Sequence, residues 1–331
     1  MRLQNTTPFV VSTALALDRD GAETLAVVVK GTYRVRNNVV RLAELQDPIA
    51  VADVYRGDPA KSSLLEAGER MLYKAATDVV MVGNAYADRR DCRQVDVSLR
   101  IGPILKVVRV FGDRVWVSGA GILPSQPARF DKIPLIYERA FGGVDESVGE
   151  RMEENPVGVG FRGRGSKVKL VGTPLPNLED PRQPIRDAKD RPPPVGFGFV
   201  APFWKPRREY AGTYGPDWLE KQAPLLPADY DERYQQVAPV DQISRGFMVG
   251  GEKVEVVNAS PSGRLSFALA APGLHVELQI SGDPVPLPVN LDTVVVDGDR
   301  ESFSMTWRGH RSVHGQVHDI EVVRVEAERF E

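Results

Sequence analysis

Apolar and polar residues alternate with period two over much of residues 1–140 and 251–331, the repeat of strands with one buried face. Residues 23–35 (ETLAVVVKGTYRV) are β-branched with an alternating tail. Asn37-Asn38 then turns tightly into residues 39–42, a hairpin signal. Residues 77–87 (TDVVMVGNAYA) form another β-branched run, and residues 93–101 alternate cleanly. Residues 104–111 and 114–117 flank Gly112-Asp113, which predicts a second hairpin. Residues 64–72 carry the only short helix expected in this part.

Residues 253–258, 264–269, 274–280, 291–296, 302–307 and 319–325 repeat that character, separated by Pro-Ser-Gly, Ala-Pro-Gly, Gly-Asp-Pro and Asp-Gly-Asp turns. Short strands with such punctuation predict a mainly β protein of antiparallel sheets, sandwich-like or barrel-like. Strand and helix do not alternate, which argues against an α/β fold. The chain divides into a β region at 1–140, an irregular segment at 141–250 and a β region at 251–331.

The pattern breaks between residues 137 and 218. Gly and Pro fill 23 of these 82 positions, against 56 of 331 overall, a level typical of disorder. Yet the stretch holds 10 of the 25 aromatics, whose burial offsets ordering entropy. It reads as a long, ordered, irregular segment, and such segments tend to carry function. Its Pro density excludes long helices, leaving helical turns only at 216–222 and 229–236.

Composition narrows the function classes. A formal charge of −3 provides no field for nucleic acid or anionic membranes. A lone cysteine, Cys92, excludes an internal disulfide, and no histidine near it in sequence supports a catalytic thiol. No apolar run approaches the roughly 18–20 residues of a membrane helix. The N-terminal run at 9–17 is interrupted by Ser12 and Thr13 and lacks a cleavage site, so a cytoplasmic protein is expected.

Candidate chemistry is thin. Asn155-Pro156-Val157-Gly158-Val159-Gly160-Phe161 looks superficially like a phosphate loop, but no strand–helix context surrounds it. His310, His314 and His318 would stack on a helix as a zinc site. Their glycine- and β-branched surroundings predict strand–turn–strand instead. Glu138, Asp145, Glu179 and Asp231 are the carboxylates a carbohydrate-active enzyme would need, an alternative left open. No cofactor or metal is expected.

Several linked motifs stand in order along the chain. They are Tyr137-Glu138-Arg139-Ala140-Phe141-Gly142-Gly143, the 155–161 stretch, Leu175-Pro176-Asn177-Leu178-Glu179-Asp180-Pro181, Pro194-Val195-Gly196-Phe197-Gly198, Ala211-Gly212-Thr213-Tyr214 with Trp218, Ala238-Pro239-Val240-Asp241-Gln242, and Leu291-Asp292-Thr293-Val294-Val295-Val296-Asp297 with Trp307-Arg308. Together they resemble a bacterial domain-of-unknown-function family whose genes sit beside type VI secretion genes. The resemblance implies a non-catalytic adaptor or chaperone that loads a PAAR-bearing effector onto the VgrG spike. A structural component of the secretion machine is the other alternative.

On that reading residues 137–218 and the 238–242 loop form the recognition face. Arg139 and Phe141 would anchor a partner, since Arg and aromatics dominate interface hot spots. Phe203, Trp204, Tyr214 and Trp218 would shelter apolar client surface, with Arg139, Arg207 and Arg208 setting orientation. The competing reading makes most of these aromatics a local core, with two or three left at a rim, and has Arg139 brace loop carbonyls.

Overall fold

In the computed structural model, which describes residues 1–313, 315 and 317–328, strands from both ends of the chain share sheets. The largest sheet runs Val10–Leu17, Glu23–Arg36, Ser302–Ser312, Asn290–Asp297, Asp78–Val82, with Val39–Leu42 also on Glu23–Arg36. A second runs Leu178–Glu179, Ile104–Phe111, Gln94–Ile101, Lys253–Val257, Arg264–Ala268. A third runs Arg2–Asn5, Ile320–Ala327, Leu274–Ile280, Asp283–Pro286. Pairing in these sheets is antiparallel except where Asp78–Val82 lies along Asn290–Asp297 and Arg2–Asn5 along Ile320–Ala327.

The period-two pattern places the core. Val27, Val29 and Tyr33 of the first sheet and Val97, Leu99 and Val256 of the second join one apolar cluster. Phe303 stacks on Tyr33 of its own sheet at 5.1 Å and on Phe267 of the second sheet at 4.8 Å, which locks the two sheets face to face. Glu23–Arg36 is buried on both faces. Its second face carries Lys30 and Thr32, covered by Glu69 and Gln46, whose side chains bond the Lys30 ammonium at 2.8 Å and the Thr32 N–H at 2.7 Å.

Asn37 and Asn38 adopt φ of 50° and 63°, the left-handed pair that a two-residue hairpin turn requires. Two expectations are corrected. Residues 64–72 are not helical: Leu64–Glu66 pairs as a strand with Val54–Tyr55, and Glu69 is committed to Lys30. Nor do residues 114–117 return along 104–111. Trp116–Ser118 pairs instead with Ile122–Pro124, because Trp116 is buried in a second small core with Phe141, Leu170, Leu175 and Ile185. Gly112 permits the departure: a Cβ there would lie 1.9 Å from the Ala128 carbonyl oxygen.

The irregular segment is ordered and mostly without ladders. It lends Leu178–Glu179 to the second sheet and sends Phe197 and Trp204 into the main core. One short helix, Pro216–Lys221, and the 3-10 turn Glu232–Gln235 fall where helical turns are expected, whereas the 3-10 turn Arg207–Tyr210 lies outside both stretches. Among the described residues, no helix is long and apolar enough to cross a membrane.

Candidate functional site

A groove of about 760 Å³ lies between the irregular segment and residues 236–243. Pro193, Pro194 and Val195 line it from the segment, and Pro239, Val240 and Ile243 from the loop. Both are pinned to the edge strand Asp78–Val82. The Met81 N–H donates to the Phe197 carbonyl at 3.0 Å, and the Gln242 side-chain amide donates to the carbonyls of Val79 at 2.7 Å and Phe197 at 3.1 Å.

Asp78 fixes the start of the loop. Its fully buried carboxylate accepts from Lys74 Nζ at 2.7 Å, the Gln236 amide at 2.9 Å, and the backbone N–H groups of Val237 and Ala238 at 2.8 and 3.2 Å. Lys74 Nζ also donates to the Thr293 hydroxyl at 2.8 Å, which in turn donates to Asp292 at 2.8 Å. Asp292 binds the buried Arg308 at 2.5 Å. The 291–297 and 307–308 motifs are thus the foundation of the loop. Buried charges need this degree of pairing.

Charge lines the groove as well as apolar surface. Lys106 of the second sheet is buried yet reaches the exposed Asp241 at 2.8 Å. Burial pushes its pKa down, against the pull of Asp241. Arg182 pairs with Asp180 at 2.8 Å and holds that carboxylate below its ordinary range. Arg233 pairs with Asp231 at 2.5 Å with the same effect.

The structure distributes the residues expected at the recognition face. Phe203 and Tyr214 are exposed, at 40% and 55%. Arg208 is exposed and paired with Glu153 at 2.7 Å, and Trp218 is half-buried against Tyr214. Arg139 donates to the Asn177 side chain at 2.9 Å, so it braces the segment. Three of the residues are buried. Phe141 belongs to the second core, Trp204 is fully enclosed with its ring edge-on to Tyr137 at 5.3 Å, and Arg207 is tucked beneath the surface against Val200 and Tyr234. A large side chain in a segment with few ladders supplies the contacts that order it. Of these eight residues, only Arg207 lines the groove.

The other candidate chemistries fare as follows. Asn155 donates to the carbonyls of Tyr137 at 2.9 Å and Phe141 at 3.0 Å, which makes the glycine-rich stretch a brace for the preceding motif. Glu138 accepts from Ser63, Asp145 from Ser147 and Gly163, Glu179 from Arg114 and the Ile185 N–H, and Asp231 from Arg233. Each carboxylate is therefore engaged within the fold. Cys92 is buried, and burial pushes its thiol pKa up. His310 lies within the Ser302–Ser312 strand with its ring stacked on Tyr73, His318 lies in a 3-10 turn, and His314 lies outside the described residues. Among the described residues no cluster of His, Cys, Asp or Glu is arranged for a metal ion.

Lys106 and Asp78 escaped the sequence reading, although each left a signal. Lys106 occupies an inward position of the alternating strand Ile104–Phe111, where Ile104, Val108 and Val110 are also buried. A charge in an apolar register marks a paired or functional group. Asp78 precedes an uninterrupted Val-Val-Met-Val run in the same way.

No curated protein and no solved structure matches the chain. A family described as "Uncharacterized protein conserved in bacteria (DUF2169)" matches residues 20–308, and the chain belongs to that family.

Proposed function

We propose that this protein is a cytoplasmic adaptor that binds a type VI secretion effector and helps load it onto the spike, with no catalysis of its own. The client is an effector carrying, or associated with, a PAAR-type tip domain, and the second partner is VgrG. The observation that carries the reading is the groove. It is built from the segment and the loop whose motifs carry the family resemblance, on an edge strand fixed by a buried charge network. A concave, partly apolar surface with ordered walls suits recognition of a protein segment. Phe203, Tyr214, Arg208 and Trp218 are the exposed or half-exposed residues available to a larger contact area.

The test is affinity capture of the tagged protein from its own cells, with partners identified by mass spectrometry. Recovery of a PAAR-containing toxin, alone or with VgrG, is the expected result. Recovery of neither, in cells expressing the secretion genes, overturns the proposal.

A further inference from the structure

Arg207 differs from every other cation of the groove. Lys106 is neutralised by Asp241, Arg182 by Asp180, Lys205 by Glu209 and Arg233 by Asp231. Arg207 has no carboxylate within 4.0 Å among the described residues, although it is only 7% exposed. Its Nε donates to the Tyr234 carbonyl at 3.1 Å and its Nη1 to the Val200 carbonyl at 2.6 Å. Both acceptors are neutral, and they occupy two of the five N–H donors a guanidinium offers. Nη2 makes no hydrogen bond among the described residues; the guanidinium lies 5.4 Å from the centre of the Tyr234 ring, and the side chain lines the groove.

A buried cation is retained at a cost unless something neutralises it. Burial lowers the Arg207 pKa, and Asp53 and Asp78 oppose this only from beyond salt-bridge range. An arginine with its fork partly free is the side chain best matched to a carboxylate. Glu154, the remaining charge of the lining, is exposed and stays solvated. Asp180 and Asp241 stand in the same groove and disfavour a polyanion such as nucleic acid. The vacancy in the charge pattern is therefore for one carboxylate, among prolines and valines that pack against apolar side chains.

We infer that the groove receives an extended polypeptide segment bearing one carboxylate among apolar residues, and that Arg207 pairs with that carboxylate. This rests on the reading of the protein as a partner-binding adaptor and specifies the chemistry its client presents. The carboxylate is that of an Asp or Glu side chain.

The experiment uses the full chain and a set of fluorescein-labelled twelve-residue apolar peptides containing proline. Each carries a single Glu, Gln or Lys, with its C-terminus free or amidated, and binding is read by fluorescence polarisation. At least tenfold preference for Glu over Gln among amidated peptides assigns a side-chain carboxylate. The same preference for free over amidated termini among Gln peptides, without one for Glu over Gln, assigns a terminal carboxylate and overturns the inference. Arg207→Gln, with folding checked by circular dichroism, is expected to reduce the preference for Glu to below twofold. Should that variant fail to fold, Arg207→Lys replaces it: an ammonium does not reproduce the guanidinium fork, and the preference is expected to fall severalfold. Equal binding of acidic and neutral peptides, preference for Lys, retention of no peptide, or a preference that survives the Arg207 substitution overturns the inference. A chain that captures its effector but shows no acid preference sinks this inference alone. Acid preference at Arg207 in a chain that captures neither effector nor spike sinks the secretion reading and leaves this one standing.

Discussion

Asp78 and Gln236 stand 158 residues apart in the chain and 2.9 Å apart in space. That bond, with those to the Val237 and Ala238 N–H groups, ties the groove loop to the edge of the largest sheet. Groove and core are consequently one mechanical unit. Asp78→Asn turns an acceptor of four donors into a mixed group and leaves the buried Lys74 without its counter-charge. It is expected to lower stability by about 3–5 kcal/mol, the cost of breaking one side of a buried pair. A urea titration checks this as a fall in midpoint with little change in slope.

Trp204 separates core from contact. It is fully buried, so Trp204→Ala should cost about 3–5 kcal/mol of stability through the cavity it leaves. Tyr214→Ala and Arg208→Ala, at exposed positions, should each stay within about 1 kcal/mol of the parent. If Tyr214 and Arg208 belong to the client contact, those two variants lose binding in a capture assay while melting normally. A Trp204→Ala protein that melts like the parent would remove the residue from the core.

Asn155 is the keystone of its glycine-rich stretch. Asn155→Ala leaves the buried carbonyl of Phe141 without its donor, while that of Tyr137 keeps only the Ala140 N–H at 3.1 Å. The expected loss is about 1–3 kcal/mol for one unsatisfied acceptor. Gly142, at φ 151°, backs directly onto the same residue, and a Cβ there would lie 2.2 Å from the Asn155 carbonyl oxygen. Gly142→Ala should therefore also destabilise. Denaturant midpoints for the two variants provide the check.

Asp145 gives the segment an acid limit. Hydrogen bonds from the Ser147 and Ser166 side chains, with the Gly163 and Ser147 N–H groups, hold its carboxyl down at about 2. A depressed folded pKa means that the carboxylate's contribution is intact above its unfolded value, near 3.9, and is lost as pH falls toward 2. Hydrogen exchange of residues 145–167 should accelerate between about pH 4 and pH 2, ahead of any loss of sheet protection. Asp145→Asn should remove that pH dependence.

Much of the fold was legible before any coordinate. Period-two alternation yields Gln94–Ile101 and Ile104–Phe111 directly, because one face of each is buried and the pattern records it. Paired asparagines mark the turn at 37–38 because few residues tolerate its dihedrals. The misreading at 64–72 has a clear origin: apolar residues spaced along a short stretch do not reveal that Glu69 is needed by Lys30 across a sheet. The Gly112 hairpin failed for the same reason, since Trp116 is drawn to a core assembled from residues 141–185.

The sequence by itself determined the mainly β character, the ordered nature of a Gly- and Pro-rich segment, and the motifs that place the chain in its family. Those properties depend on local dihedral preference, side-chain period and aromatic content, all carried by neighbours along the chain. Only the tertiary structure decided which aromatics are core, which cations are neutralised, and that Arg207 is not. Burial and charge pairing depend on which distant residues arrive within a few ångströms. Two arginines side by side, Arg207 and Arg208, thus end in opposite environments, one beneath the surface without a carboxylate and one in solvent beside Glu153.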